Sequence, residues 1–108
     1  MKGERRKQPR VPKRVEGSWR GASGAMRCTV GDISITGCYV HGLATPAKGE
    51  NTVVTIAFRP NASIELPGKV VYTEAGMGFA VQFNELPEAD VKRLAALLEE
   101  CKVEAAIA

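Results

Sequence analysis

The sequence predicts an all-β core capped by a single C-terminal helix, and three observations carry that expectation. Short segments with alternating or β-branched apolar residues recur along most of the chain. Clusters of Gly, Pro, Asn, Asp and Ser separate them at short intervals, as turns do in an all-β domain. Only the stretch after Pro87 spaces its apolar residues at the threes and fours of a helix. With 108 residues, 44% hydrophobic and 25% charged, the chain has the length and composition of one globular domain.

Residues 1–14 carry Pro9, Pro12, little apolar surface and mutually repelling charge, and read as a flexible basic arm. The β region is expected over 15–86. Its first strand is 15–20, and the small residues of 21–24 form a loop. Residues 26–30 alternate apolar and polar side chains, as a strand buried on one face should. A polar turn follows over 32–37, and 38–41 runs out of it as a strand with Cys38 and Val40 on one face and Tyr39 and His41 on the other. After a loop with Pro46 and Gly49, residues 52–58 are β-branched and strand-like. Residues 59–62 turn the chain. Residues 63–66 and 68–73 read as strand material interrupted at Pro67, which predicts an edge, a bend or a bulge there. In 77–83, Met77, Phe79, Val81 and Phe83 fall on one face and Gly78, Ala80 and Gln82 on the other, a core-facing alternation.

The helix is expected over 87–106, with Pro87 as its first residue. Glu88 and Asp90 lie in the first turn, where the helix dipole favours acids. Val91, Leu94, Leu98 and Cys101, with Leu97 beside them, form one stripe that packs on the β core or on another chain.

The charge is unevenly distributed. Eight of the fifteen Lys and Arg fall within the first twenty residues, against Glu4 and Glu16, whereas the stretch from Glu85 on is net acidic. A basic arm on a near-neutral body points to an anionic partner: nucleic acid, anionic lipid or a phosphorylated ligand. No apolar run approaches the roughly 20 residues that a membrane helix needs. The first residues lead into charge, so no membrane insertion and a cytoplasmic location are expected. Cys28, Cys38 and Cys101 are widely spaced without a C-x-x-C pair, and His41 is the one histidine. Neither a disulfide framework nor a metal site is expected, and Cys28 and Cys38 should pack as small hydrophobes. No nucleophile stands at a recognisable spacing from a histidine base, and no glycine-rich phosphate loop opens a helix, so no catalytic residue is assigned.

Two polar stretches stand out from this background. Arg6-Lys7-Gln8-Pro9-Arg10 sets two arginines four residues apart ahead of the first strand. Asp32-Ile33-Ser34-Ile35-Thr36-Gly37 is an acceptor-rich turn in which Gly37 supplies a positive φ or a close approach. In this order, followed by the apolar strand 76–83 and a helix, they resemble the R-x-x-x-R and [D/N]-x-S-x-x-G motifs of the PilZ family. The resemblance covers about residues 4–106. It implies a small antiparallel six-stranded β-barrel that binds the bacterial second messenger cyclic di-GMP.

The residue types suit that ligand, which presents two phosphodiester charges and two guanines. An arginine fork can bind guanine O6 and N7, bind a phosphate or stack on the purine face. Arg6 and Arg10 are therefore expected to hold guanine edges and phosphate, with Arg5 as an auxiliary contact. The N1–H and N2–H edge of guanine is all donor and calls for an acceptor such as the Asp32 carboxylate. Ser34 is small enough to sit under the ligand, and Gly37 keeps a Cβ away from where ligand or arm comes close. Arg10-Val11-Pro12-Lys13-Arg14 overlaps as a second R-x-x-x-R; Arg6 with Arg10 is preferred because the family's pair precedes an apolar residue and a strand. Tyr72 is the candidate to stack a guanine, as an aromatic does in some relatives. Trp19 reads as hairpin packing and His41 as a solvated strand residue.

The expected mechanism is a receptor, with cyclic di-GMP as ligand and no other cofactor. Its arm folds over the barrel when ligand bridges it to the turn, and the new surface meets an unidentified protein partner; a homodimer is compatible with this. The alternative is a PilZ-like interaction module that binds no nucleotide and acts through its helix or an exposed strand edge. Nucleic acid is not the expected partner, since the body lacks a basic, aromatic face.

Overall fold

A computed structural model describes residues 14–59 and 61–107, with side chains as far as Glu100. Six strands and one helix follow in order: β1 (Val15–Gly21), β2 (Gly24–Gly31), β3 (Gly37–His41), β4 (Asn51–Arg59), β5 (Ala62–Glu74), β6 (Gly78–Phe83) and α1 (Glu88–Ile107). The strands close into an antiparallel barrel in the order β1-β2-β3-β6-β5-β4, and β4 returns to pair with β1. Each strand therefore has two partners, although β2 before Thr29 pairs only with β1 and keeps an open edge there.

The two-residue period of a strand puts alternate side chains inside. Ala62, Ile64, Leu66 and Val70 of β5 are buried, while Ser63, Glu65, Pro67 and Lys69 face out. Val54 and Ile56 of β4, Val40 of β3 and Phe79 and Val81 of β6 complete the interior. Trp19, paired with Met26 in its hairpin, packs into this core, where its ring meets Phe79 edge-on at 5.4 Å. Burying one such aliphatic or aromatic side chain is worth roughly 1.5–3 kcal/mol, so the interior dominates the stability of the fold.

Four local expectations are corrected. The loop expected over 21–24 is a tight turn, because β1 and β2 stay paired to Gly21 and Gly24. Met26, in the half of β2 that pairs only with β1, is partly exposed. Met77 is 62% exposed because it belongs to the turn before β6, where its N–H donates to the Glu74 carbonyl at 3.0 Å. The break expected at Pro67 is absent, and β5 runs through it in register with Val53. The Pro67 carbonyl accepts from the Asn84 N–H at 2.9 Å. Since N and C=O of one strand residue point to the same side, the missing N–H also faces the β6 side. There the ladder ends just past Gly68 opposite Phe83, with the Asn84 bond as its last, so the missing donor costs at most one terminal bond. The irregularity lies instead at Val71, an extra residue between Val70 and Tyr72 opposite β6.

The Pro87 carbonyl accepts from the N–H groups of Asp90 and Val91 at 2.9 and 3.0 Å, so Pro87 caps α1 rather than opening it. Leu94, Leu97 and Leu98 join the barrel core. Arg93 Nη2 donates to the Ser63 carbonyl at 2.8 Å, and Arg59 pairs with Glu100 at 3.2 Å. Both bonds hold the helix against the end of the barrel where β4 finishes and β5 begins. By the strand register, β1 starts and the 32–36 turn lies at that same end.

Candidate functional site

The turn between β2 and β3 uses most of its polar groups on itself. The Ser34 N–H donates to the Gly37 carbonyl at 2.9 Å, and the Thr36 N–H donates to Ser34 Oγ at 3.2 Å. The two hydroxyls of Ser34 and Thr36 lie 3.0 Å apart. Ser34 is 1% exposed, so its hydroxyl is enclosed within the turn. The Thr36 carbonyl accepts from the Phe83 N–H at 2.8 Å and fastens the turn to β6. Ile33, fully buried, plugs the core from the turn. An apolar residue in the second place of a polar turn is its only sequence signal.

Gly37 is needed for a close approach. A Cβ there would lie 2.4 Å from the Val81 carbonyl oxygen, a backbone atom of the paired strand β6. Asp32 is the one described non-glycine residue with a positive φ, at 47°. Its side chain is exposed at the lip of the turn. Asp and Asn enter this region more readily than other side chains because they bond to nearby backbone.

Beside the turn, a groove of about 410 Å³ runs along the outside of the barrel. Asp32, Thr36 and Gly37 line one end, and Tyr39, Ala80 and Tyr72 line its length. The extra residue at Val71 shapes it. A strand residue would normally point opposite to its neighbour, but the bulge leaves both Val71 and Tyr72 on the outside, where both line the groove. Tyr72 stands opposite Ala80, and Ala80 opposite Tyr39. Only a methyl group separates the two tyrosines across the sheet, and their ring centroids are 6.4 Å apart at a tilt of 46°.

Tyr39 is held on two further sides. Its ring meets His41 edge-on at 4.9 Å. Its hydroxyl donates a hydrogen bond to Glu74 Oε1 at the end of β5. Desolvation first, then the hydrogen bond and charge of Glu74, push the phenol up to about 12. His41 is lowered below its ordinary value by burial and by the charge of Arg14, with Asp32 opposing.

Arg14 is the first described residue, and its place decides where the basic stretch meets the barrel. Val15 pairs with Val30, two residues before Asp32. A Cβ built on Gly31 would lie 3.0 Å from His41 Nε2 and 3.5 Å from Arg14 Cγ, so the Arg14 side chain lies over Gly31 beside His41. Arg14, His41, Tyr39 and Tyr72 thus follow one another across the outer face.

Of the residues expected from the sequence, Asp32, Gly37 and Tyr72 come together around one groove, and Ser34 lies buried beneath it. Arg5, Arg6 and Arg10 lie outside the described residues, as does the side chain of Cys101. Tyr39, Val71 and Glu74 were not singled out. For Tyr39 the signal was present, since the alternation of 38–41 already set it on the outer face. Cys38 is buried, whereas Cys28 is half-buried, its thiol pushed up to about 11 by desolvation and then by Glu16. Among the described residues, no group of three or more His, Cys, Asp or Glu could hold a metal ion, and no helix is long and apolar enough to cross a membrane.

A family model described as the PilZ domain matches residues 4–100. No curated protein is matched. Among solved structures, the chain is similar to the PilZ domain of CeSA from a cellulose-synthesizing bacterium, with 14% identity and a TM-score of 0.68 over 87% of this chain and 98% of that one. It is also similar to the Bacillus subtilis inhibitor of motility MotI/DgrA, with 19% identity and a TM-score of 0.70 over 94% and 51%. A third likeness is to the K. pneumonia MrkH protein in its complex with c-di-GMP, with 20% identity and a TM-score of 0.71 over 94% and 54%. The chain spans about half the length of the last two. At these identities the likeness is one of fold.

Proposed function

The chain belongs to the PilZ domain family, and from that premise we propose that it is a receptor for cyclic di-GMP which signals through a protein partner. The observation that carries this reading is the shared location of three features. The exposed carboxylate of Asp32, the aromatic groove with Tyr72 and the point where the basic stretch joins β1 all lie together on one side of the barrel. Arg10 precedes Arg14 by four residues, which span at most about 14 Å of chain, so its guanidinium can reach the groove. Arg6, four residues further, can reach over it.

In this mechanism Asp32 accepts from the donor edge of a guanine, Tyr72 stacks on a base, and Arg6 and Arg10 take the phosphates and the O6/N7 edge, with Arg5 beside them. Ser34 serves by holding the turn that presents Asp32. The stretch 1–14 closes over the bound nucleotide at the end of the barrel that α1 caps, and the surface made there meets the partner. Ordering those residues costs conformational entropy, which keeps the affinity moderate.

Calorimetric titration with cyclic di-GMP, with GTP as competitor, tests the reading. Binding should occur, and Arg6→Ala, Arg10→Ala and Asp32→Ala should each weaken it by about tenfold or more, since a charged hydrogen bond is worth about 1.5–3 kcal/mol. Ligand at a hundredfold excess over Kd should add about 2.7 kcal/mol to stability. No heat and no change in melting would overturn it.

A second reading has its own observation. Leu43 is 77% exposed and Met77 62%, and they are neighbours where the Gly42 N–H donates to the Met77 carbonyl at 3.1 Å. An apolar tip of this kind fits an interaction module that needs no nucleotide. Melting unmoved by cyclic di-GMP, with partner binding lost in Leu43→Ser, would favour that reading.

A further inference from the structure

We propose that Tyr39 is a second base-contacting residue of this groove, held in place by Glu74, and that the groove takes a guanine base while the phosphates lie outside it. This deepens the receptor reading and rests on it. The outward row of β6 is Gly78, Ala80 and Gln82, so between the two tyrosines the floor is a single methyl group. Their rings, 6.4 Å apart, already contact each other, and a base therefore lies across them rather than between them. Tyr72 forms one half of that ledge and Tyr39 the other.

Charge decides which part of the ligand enters. Asp32 lines one end of the groove, and Glu74 stands at the other, bonded to Tyr39. A phosphodiester lying there would face like charge at both ends. A guanine is neutral, and its N1–H and N2–H groups donate to carboxylates. Among the described residues, Arg14 lies at the rim of the row, over Gly31 and beside His41, and offers the phosphates opposite charge there.

Tyr39 is also fixed before ligand arrives. Glu74 holds its hydroxyl, His41 meets its ring at 4.9 Å, and the Tyr72 ring stands 6.4 Å away. An aromatic that need not be ordered on binding loses less entropy when the base lands. Glu74 is thus a positioning residue, acting through Tyr39.

The test titrates cyclic di-GMP into the full chain and four variants, each checked by thermal melting. Tyr39→Leu should weaken binding by about tenfold, the usual worth of one base-stacking aromatic. Tyr39→Phe keeps the ring and loses the bond, so a loss of about three- to fivefold is expected. Glu74→Ala should match Tyr39→Phe, while Glu74→Gln keeps an acceptor and should restore affinity to within about twofold. In the wild-type protein, the ring protons of Tyr39 should shift upfield in NMR as the base stacks, a readout that needs no variant to fold. Affinity unchanged in Tyr39→Leu, or Tyr39 ring signals unmoved by saturating ligand, overturns the proposal. If Asp32→Ala and Arg10→Ala still weaken binding by about tenfold or more in that case, only the role of Tyr39 falls; if the wild type does not bind, the receptor reading falls with it.

Discussion

Asp32 sits in the left-handed region with φ at 47°, and replacing it separates what its backbone costs from what its carboxylate does. Asp32→Ala and Asp32→Gly delete the same carboxylate and every interaction it makes, so their difference isolates the backbone. Alanine in this conformation costs about 1–2 kcal/mol. Glycine avoids that cost but loses about 0.4–1 kcal/mol through the greater freedom of its unfolded chain. At the midpoints of these ranges the net advantage of glycine is about 0.8 kcal/mol. In a domain of this size that corresponds to roughly 3–6 °C in Tm. Asp32→Asn should melt close to glycine, because an Asn side chain tolerates the same region. All three variants should bind cyclic di-GMP at least about tenfold more weakly than the wild type. Differential scanning calorimetry and titration on the same samples decide the matter. An alanine variant as stable as the glycine variant would refute the backbone argument, and an asparagine variant of undiminished affinity would refute the role of the carboxylate.

Gly37→Ala should lose about 1–3 kcal/mol in urea unfolding, because its Cβ meets a backbone carbonyl at 2.4 Å that no rotamer change can move. Gly42→Ala, with open space around the added atom and no positive φ, should stay within about 0.5 kcal/mol and serves as the control. The Cys28 thiol is raised from 9.0 to about 11 and the Tyr39 phenol from 10.0 to about 12. Both groups are neutral when protonated, so the stability they contribute is complete below their unfolded values and is lost as pH climbs through the folded ones. Denaturant midpoints should therefore fall between about pH 9 and 12. Cys28→Ser and Tyr39→Phe should each remove part of that slope, and an unchanged slope in both would count against the assigned causes.

Much of the fold was legible because its signals are local. The alternation in 38–41 and 77–83 put Val40, Phe79, Val81 and Phe83 inside and Tyr39, His41 and Ala80 outside, and the barrel keeps that assignment. Met77 obeys the same parity and still lies outside, because parity says nothing about where a strand starts. Pro67 misled for a related reason. A missing N–H costs little at the end of a ladder, and where the ladder ends is a property of β6, not of the residues around Pro67. The bulge at Val71 left no mark on the sequence at all. Val-Val-Tyr-Thr is unbroken strand material, and the extra residue appears only when β5 is counted against β6. Tyr72 could be chosen as a candidate, but what turns it outward beside Val71 could not.

The same distinction applies within the six-residue motif. Read as chemistry, Asp32, Ser34 and Gly37 each had a task at the ligand. In the structure most of the motif has a task in the fold: Ile33 plugs the core, Ser34 and Thr36 tie the turn, the Thr36 carbonyl fastens it to β6, and Gly37 lets β6 come close. What this machinery leaves at the surface is Asp32, held in a conformation that few other residues tolerate. The motif is thus chiefly a rigid mount for one carboxylate at the end of a groove. In the proposed receptor reading, such a mount explains why a long polar pattern would be needed to deliver a single acceptor, since a carboxylate on a mobile loop would forfeit in ordering entropy much of what bonds to a guanine edge would supply. It also explains why Tyr39 follows so soon after. Two residues beyond Gly37 on the outward face of the strand is the first position at which a side chain can reach over Ala80 toward Tyr72 and still be anchored by Glu74.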